Sequence, residues 1–395
     1  MYYLCFMLEK NFTMVAKTSF GLEDVTAKEL AQLGAKDIQQ GIRSVSFKGN
    51  KTLLYNANLW LRTANKILVP IHQFPISGAE DLYQKIKKME WEKIFDVSQT
   101  FFIDAVVSSR LFNHSQFPAL KAKDAIADRF REKTGKRPNV EKIQPTIKIN
   151  LYINQKNECV VSLDSSGEAL FKRGYRASRS EAPIKEDLAA GMILLSGWDK
   201  KTPFLDLFCG SGTLLIEAYM IAHNIAPNLI REQFGFFNWK DFDAPLFQQL
   251  KEQAIAQRLE NEVSIYGVDN SGRVLGMCRA NLKAADLLDK ITLKIADFKD
   301  FTPPFQKGII ISNPPYGERI GDGIETLYTD FGDTLKQKFS GWSAWIISSN
   351  IEALKNVGLR PSKKLKLFNG SLECKFVQYE MYQGTKKTYK TEKTE

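Results

Sequence analysis

Asn313-Pro314-Pro315-Tyr316 is the stretch of this chain best suited to chemistry on a planar amine. Two consecutive prolines stiffen the turn and remove two backbone N–H donors, so carbonyls are left pointing outward. The Asn313 amide oxygen and the Pro314 carbonyl can then accept both hydrogens of an exocyclic NH₂ group, drawing the nitrogen lone pair out of conjugation. Tyr316 offers an aromatic face for a flipped base, a contact worth about 1–3 kcal/mol. By this argument the ring matters and the hydroxyl does not. A rigid turn alone accounts for Pro314 and Pro315 but not for the flanking Asn and Tyr.

A second constellation runs from Asp206 through Phe208, Cys209, Gly210, Ser211 and Gly212 to Thr213. An apolar strand enters a glycine turn and then a helix. Gly210 and Gly212 admit a ligand close to the backbone, and the helix start presents free N–H groups to an anion. Asp206 can accept from a ligand's amine. A dinucleotide fingerprint needs a third glycine where Leu215 stands, and the chain has no P-loop. Acidic residues end two further strands. Asp269, followed by Asn270, can take ribose hydroxyls, and Asp297, followed by Phe298, can accept from an adenine amino group. Singly, each carboxylate is equally a solvent-facing strand end, and the glycine turn a tight strand-to-helix turn. Their recurrence at three successive strand ends points to a nucleoside pocket. The interval from the glycine turn to Asp269 exceeds the usual spacing of about 20 residues. It fits an insertion over 227–259, rich in Phe, Trp and Gln.

The elements that must position these residues follow from the apolar periodicity. Short β-rich runs at 203–208, 264–269, 291–296, 308–312 and 343–348 alternate with helical spacers, which predicts a parallel sheet with right-handed crossovers. A hairpin over 364–368 and 373–382, turning at Asn369-Gly370, closes the sheet antiparallel. A helix over 181–198, with Pro183 in its first turn, leads into this domain. Upstream, residues 1–74 predict a small α/β unit with helices over 22–33 and 53–64. Residues 75–165 predict helices over 82–89 and 118–133, a strand over 101–107 and a hairpin over 147–164. Lys121, Lys123, Arg129, Lys133, Lys136 and Arg137 gather on the charged helix and the turn after it. With Lys172, Arg173 and Arg176 of the basic, aromatic stretch 171–176, they are the candidates for phosphate contacts. Asp124, Asp128 and Glu132 keep a simple solvated helix face open as the alternative. The expected domains are therefore 1–74, 75–165 and 166–383, with 166–200 as linker and leading helix. The Lys-, Thr- and Glu-rich tail 384–395 is expected to be disordered.

Composition bounds the function. The 395 residues suffice for two or three domains. Lys+Arg 55 against Asp+Glu 45 leaves a formal charge of +10, which attracts a polyanion without distinguishing nucleic acid from an acidic membrane. No apolar run has the length of a membrane span, and residues 1–8 lack the basic start and cleavage site of a signal peptide. Five scattered cysteines without a CxxC pair predict a reduced, cytoplasmic protein. Three histidines, none at ligand spacing, predict chemistry without a metal.

Taken together, these stretches resemble the class I S-adenosylmethionine-dependent methyltransferases that modify exocyclic amines. Nearly the whole chain resembles the THUMP-domain RNA methyltransferases. The likeness is strongest to the 23S rRNA guanine-N2 methyltransferases and their bacterial relatives once labelled N6-adenine-specific DNA methylases. The 171–176 and 182–186 stretches make that likeness specific. The resemblance implies a Rossmann-like α/β domain, its mostly parallel seven-stranded sheet ending in an antiparallel hairpin, preceded by α+β ferredoxin-like and THUMP domains. It implies S-adenosylmethionine as cofactor, with 206–213 at its methionine part, Asp269 and Asn270 at the ribose, Asp297 and Phe298 at the adenine, and Asn313 also among the cofactor-binding residues. Asn313, Pro314, Pro315 and Tyr316 would take the target amine. The implied partner is structured RNA, 23S rRNA first, gripped by its phosphates and shape. A tRNA guanine-N2 enzyme, a DNA adenine-N6 enzyme and a non-catalytic RNA-binding protein are the rival readings. Residues 1–11 have no counterpart in the family's pattern, which makes Met14 an alternative start.

Overall fold

The computed structural model describes residues 11–177, 184–317 and 323–382. Pro183, Glu318, Arg319 and the tail 384–395 lie outside the described residues. The chain divides into two compact units. One comprises Met1–Thr18, Thr26–Leu170 and Arg231–Gln253; the other comprises Ser19–Val25, Phe171–Ile230 and Ala254–Glu395.

In the first unit the strands are β1 (Phe12–Thr18), β2 (Lys36–Gly41), β3 (Ser44–Gly49), β4 (Ala64–Pro75), β5 (Phe101–Val107), β6 (Ile147–Ile153) and β7 (Glu158–Asp164). They form one sheet in the order β2-β3-β1-β4-β7-β6-β5. Only β5 and β6 run parallel. The pieces expected either side of residue 74 share this sheet, because the long β4 pairs along its first part with β1 and along the rest with β7. The register slips between Pro70 and His72, where a proline cannot donate to the ladder. The helix Gln116–Thr134 stops at Gly135, whose left-handed backbone (φ 70°) lets its N–H reach the Arg131 carbonyl.

The insertion packs with the first unit. Residues 227–259 sit inside the span expected to be a single domain, 166–383, yet Arg231–Gln253 belongs to the first unit. The reason is aromatic. Tyr55 stacks on Phe236 with ring centroids 4.5 Å apart and meets Phe247 edge-on at 5.7 Å, and Phe234, Phe237 and Phe242 complete the cluster. Rings of this size dominate the energetics of any core they enter. The buried Lys51 ammonium pairs with Asp241 at 3.0 Å.

The second unit holds β8 (Phe204–Asp206), β9 (Ile265–Asp269), β10 (Thr292–Ile295), β11 (Ile309–Ser312), β12 (Ser343–Ser348), β13 (Lys363–Asn369) and β14 (Leu372–Glu380). Their order is β10-β9-β8-β11-β12-β14-β13. The first five are parallel, and β14 runs antiparallel to both β12 and β13, as expected from the Asn-Gly turn. The leading helix is Glu186–Ser196, shorter than the expected 181–198. No described helix is long and apolar enough to cross a membrane.

Candidate active site

The strand order reverses at β8: the chain steps outward through β9 and β10, then returns to β11 on the other side. At such a switch point the loops leaving neighbouring strands diverge, and a crevice opens beyond their carboxyl ends. Here it is a cavity of about 560 Å³, within the range that holds a cofactor-sized ligand. Four of its walls are the loops that follow β8, β9, β10 and β11.

Three aspartates leave those strands in the same way. Asp206 Oδ1 accepts from Phe208 N at 3.1 Å, Asp269 Oδ1 from Ser271 N at 2.9 Å, and Asp297 Oδ1 from Lys299 N at 2.9 Å. Each is an Asx turn, in which a short carboxylate binds the backbone two residues on and bends the chain out of the strand. The strand-end reading and the pocket reading therefore coexist, since all three residues also line the cavity. Asp269 does more: its Oδ2 accepts from Gly210 N at 3.1 Å, tying the β9 end to the glycine turn. Asp206 is buried, and burial pushes its carboxyl up to about 7. A hydrogen bond from Ser312 opposes that rise, and the neighbouring Asp269 charge adds to it.

The glycine turn behaves as its composition requires. Gly212 holds a left-handed backbone (φ 83°) at the start of the helix Thr213–Ala222, and a Cβ there would meet Cys278 Sγ at 2.5 Å. It is set behind the cavity wall, which Phe208, Cys209, Gly210, Ser211 and Thr213 line. Asn270 and Phe298 line it too. Phe298 is buried against Phe208 and Phe331, with centroids 5.1 and 5.6 Å away, giving an apolar wall beside Asp297.

Asn313, Pro314, Pro315 and Tyr316 also line the cavity. The Tyr316 hydroxyl donates to Asn313 Oδ1 at 2.5 Å. A carbonyl oxygen has two acceptor positions, so the phenol fixes the plane of the amide and leaves one position for a ligand hydrogen. The hydroxyl is thus not idle, contrary to the ring-only expectation. Burial and the nearby Cys374 thiol hold the phenol far above its ordinary pKa, so it stays a donor. Asn369 Nδ2 lies 3.5 Å from the same hydroxyl.

Several wall residues carried no signal in the sequence. Leu327, Asn369 and Leu372 come from the helix Ile324–Lys338 and from the β13–β14 hairpin. The Asn-Gly pair marks a turn, not its place beside Tyr316. Ser312 is buried at the end of β11, with its Oγ accepting from Leu207 N just beyond β8 at 3.0 Å. Among the described residues, no group of three or more His, Cys, Asp or Glu is placed to hold a metal.

The basic candidates separate sharply. Lys133, Lys136 and Arg137 are exposed. Lys121 is half-buried, Lys123 pairs with Asp124 at 2.7 Å, and Arg129 grips Glu92 through two nitrogens at 2.5 and 3.1 Å. Lys172 is exposed, whereas Arg173 is only 1% exposed and bonds Glu217 at 3.3 Å, beside the Tyr175 hydroxyl on the same oxygen. Arg176 binds Glu186 at 2.8 Å and Thr213 Oγ1 at 3.3 Å. Arg173 and Arg176 are therefore corrected from phosphate contacts to internal fastenings of the linker. At 1% exposure the Arg173 guanidinium is out of reach of a phosphate, and Arg176 is half-buried with its Nη2 engaged by Glu186 and Thr213.

The chain is similar to known proteins over most of its length. The family described as "RMKL-like, methyltransferase domain" matches residues 173–378, "RlmL ferredoxin-like domain" matches 13–68 and "THUMP domain" matches 77–164. A Synechocystis protein named "Putative RNA methyltransferase" is 39% identical over 94% of this chain and 96% of its own length. The ribosomal RNA large subunit methyltransferase K/L of Shewanella frigidimarina is 37% identical over 94% of this chain and 53% of its own. The chain thus spans about half the length of that enzyme. The crystal structure of SMU.472, "a putative methyltransferase complexed with SAH", has a TM-score of 0.85 and 34% identity, covering 96% of this chain and 100% of that one.

Proposed function

The chain belongs to the RMKL-like methyltransferase family, enzymes that use S-adenosylmethionine, and we propose that it methylates the N2 amine of a guanine in large-subunit ribosomal RNA. One observation carries this reading: the amine-accepting pair of Asn313 and Pro314 faces the same 560 Å³ cavity as the glycine turn and the three strand-end carboxylates. The donor set fits the cofactor. The 209–213 turn and Asp206 would hold its methionine part, Asp269 and Asn270 its ribose, and Asp297 with Phe298 its adenine. When bound there, the cofactor supplies a methyl group on a sulfonium, an electrophile that needs no nucleophile from the protein.

The chain's own residues then have two tasks. Asn313 Oδ1 and the Pro314 carbonyl accept the two amine hydrogens and aim the lone pair, and alignment of that kind is worth several kcal/mol. The apolar wall of Phe208, Phe298 and Leu327 excludes water. No histidine lines the cavity among the described residues, and the proton leaves after transfer, to water at the cavity mouth or through the neighbourhood of Asn313. A guanine in a helix must first be flipped out of its stack, and the Tyr316 ring on the cavity wall would receive it. The match of residues 77–164 to a THUMP domain supports RNA over DNA as the substrate. The protein acts in the cytoplasm, where ribosomal RNA is modified.

The test is methyl transfer to RNA extracted from cells lacking this gene, followed by nucleoside analysis. N2-methylguanosine in the large-subunit RNA is the expected product. N6-methyladenosine would keep the amine clamp and overturn the base. Transfer only to tRNA would overturn the RNA.

A further inference from the structure

We propose that Tyr328 and Asn350 are positioning residues that aim the amine clamp, a role that rests on the proposed amine methylation. The turn after β11 carries three successive backbone carbonyls, those of Pro314, Pro315 and Tyr316. Two of them are held. The Tyr328 hydroxyl donates to the Pro315 carbonyl at 3.2 Å, and Asn350 Nδ2 donates to the Tyr316 carbonyl at 3.0 Å. The Pro314 carbonyl, on the cavity wall beside Asn313, has no partner among the described residues.

Both holders are themselves fixed. Tyr328 is buried in the helix Ile324–Lys338, and its hydroxyl is shared with Ser348 Oγ, 2.8 Å away at the end of β12. Asn350 caps the helix Ile351–Asn356, its Oδ1 accepting from Ala353 N at 2.9 Å. With the oxygen committed to the cap, the amide nitrogen has one direction to point. Gly317, at φ 107°, turns the chain immediately after the held carbonyl.

Holding these two carbonyls stops the peptide planes of the turn from rotating. Rotation would swap which carbonyl meets the incoming amine. The effect reaches the substrate through the loop, and a misplacement of about 1 Å at a reacting group costs on the order of 10²-fold in rate.

Asn350 permits a separation of its two bonds. Asn350→Asp keeps an acceptor for the helix cap and loses the donor to Tyr316. Asn350→Ser also caps well and adds no charge, and its side chain is too short for the hydroxyl to replace the Asn350 Nδ2 bond to the Tyr316 carbonyl. Tyr328→Phe removes the other donor. The full chain is assayed by single-turnover transfer from radiolabelled S-adenosylmethionine to RNA from cells lacking the gene. Calorimetry with S-adenosylhomocysteine and thermal melting run in parallel. All three variants should keep cofactor affinity and apparent RNA affinity while the transfer rate falls by about 10-fold to 10²-fold. The Asn350 variants should melt as the parent does. Parental rates in both Asn350 variants would overturn the positioning role, as would a loss of cofactor affinity that tracks the rate. Asn313→Ala in the same assay separates the two layers. If it too transfers at the parental rate, the clamp reading itself fails; if it is inactive while the others are parental, only the positioning role fails.

Discussion

The two seven-stranded sheets of this protein are the same size but differ in what their edges can do. In the first unit all but one neighbouring pair is antiparallel, so successive strands finish at opposite edges and their loops cannot converge. In the second unit five parallel strands finish at one edge, and the loops after β8, β9, β10 and β11 meet around one cavity. Every candidate for chemistry lies in the second unit, while the exposed candidates of the charged helix lie in the first. Parallel pairing gathers reactive groups, and the mixed sheet presents a surface. Substitutions in the second unit should therefore change rate, cofactor affinity or stability, and those at the exposed basic residues of the first should change only the response to salt.

Arg173→Ala should have the largest effect, and on stability. Glu217 would be left buried with its cation gone, a loss typically costing about 3–5 kcal/mol. Denaturant unfolding that shows parental stability would return Arg173 to the surface candidates. Next, Asn313→Ala should cut single-turnover transfer by about 10²–10³-fold, the usual cost of one oriented donor or acceptor at a reacting centre, with cofactor affinity preserved. Tyr316→Phe should lose roughly 5-fold, as expected for one hydrogen bond of about 1 kcal/mol that orients Asn313. A parental rate in Tyr316→Phe would restore the ring-only account.

Asp269→Ala should weaken binding of S-adenosylhomocysteine by about 1–3 kcal/mol, because it removes hydrogen-bond acceptors and frees Gly210 N. Calorimetry reads this directly. The pH dependence sharpens the point for Asp206. Burial raises its folded pKa to about 7 from the ordinary 3.8, so the folded chain binds a proton that the unfolded chain releases. That term stabilises the fold at low pH, and the benefit fades as pH rises from about 4 to about 7. An ammonium seated beside Asp206 favours the ionised form. Cofactor affinity should then climb through pH 6–7.5 and level off above, and Asp206→Asn should flatten the climb. Affinity that falls over that interval would remove Asp206 from the methionine site. The smallest effect is expected in the first unit. Replacing Lys133, Lys136 and Arg137 together by Ala should reduce the salt slope of RNA binding by about 2 and leave single-turnover chemistry alone. An unchanged slope would make the charged helix a solvated face.

Much of the second unit was legible because its signals are local. Alternating β-rich runs and helical spacers, the glycine turn, Asp269, Asp297 and the 313–316 stretch each fit within a few residues. Only parallel pairing was needed to bring them together. The insertion was legible as an excess of length, but its destination was not. Nothing near Phe236 indicates that Tyr55, far upstream, is its partner.

The sequence by itself determined which residue types stand at the strand ends, because an Asx turn, a left-handed glycine and a proline turn are decided by the residue and its immediate neighbours. Tertiary structure alone decided which of the basic residues are free and which bonds the clamp makes. Arg173 and Lys133 look alike in a string of letters, and only folding buries one against Glu217. The Tyr328 and Asn350 donors reach the Pro315 and Tyr316 carbonyls from later elements of the sheet and its helices. A hydrogen bond depends on distance and angle in space, and the order of residues along the chain constrains neither once the partners lie on different elements.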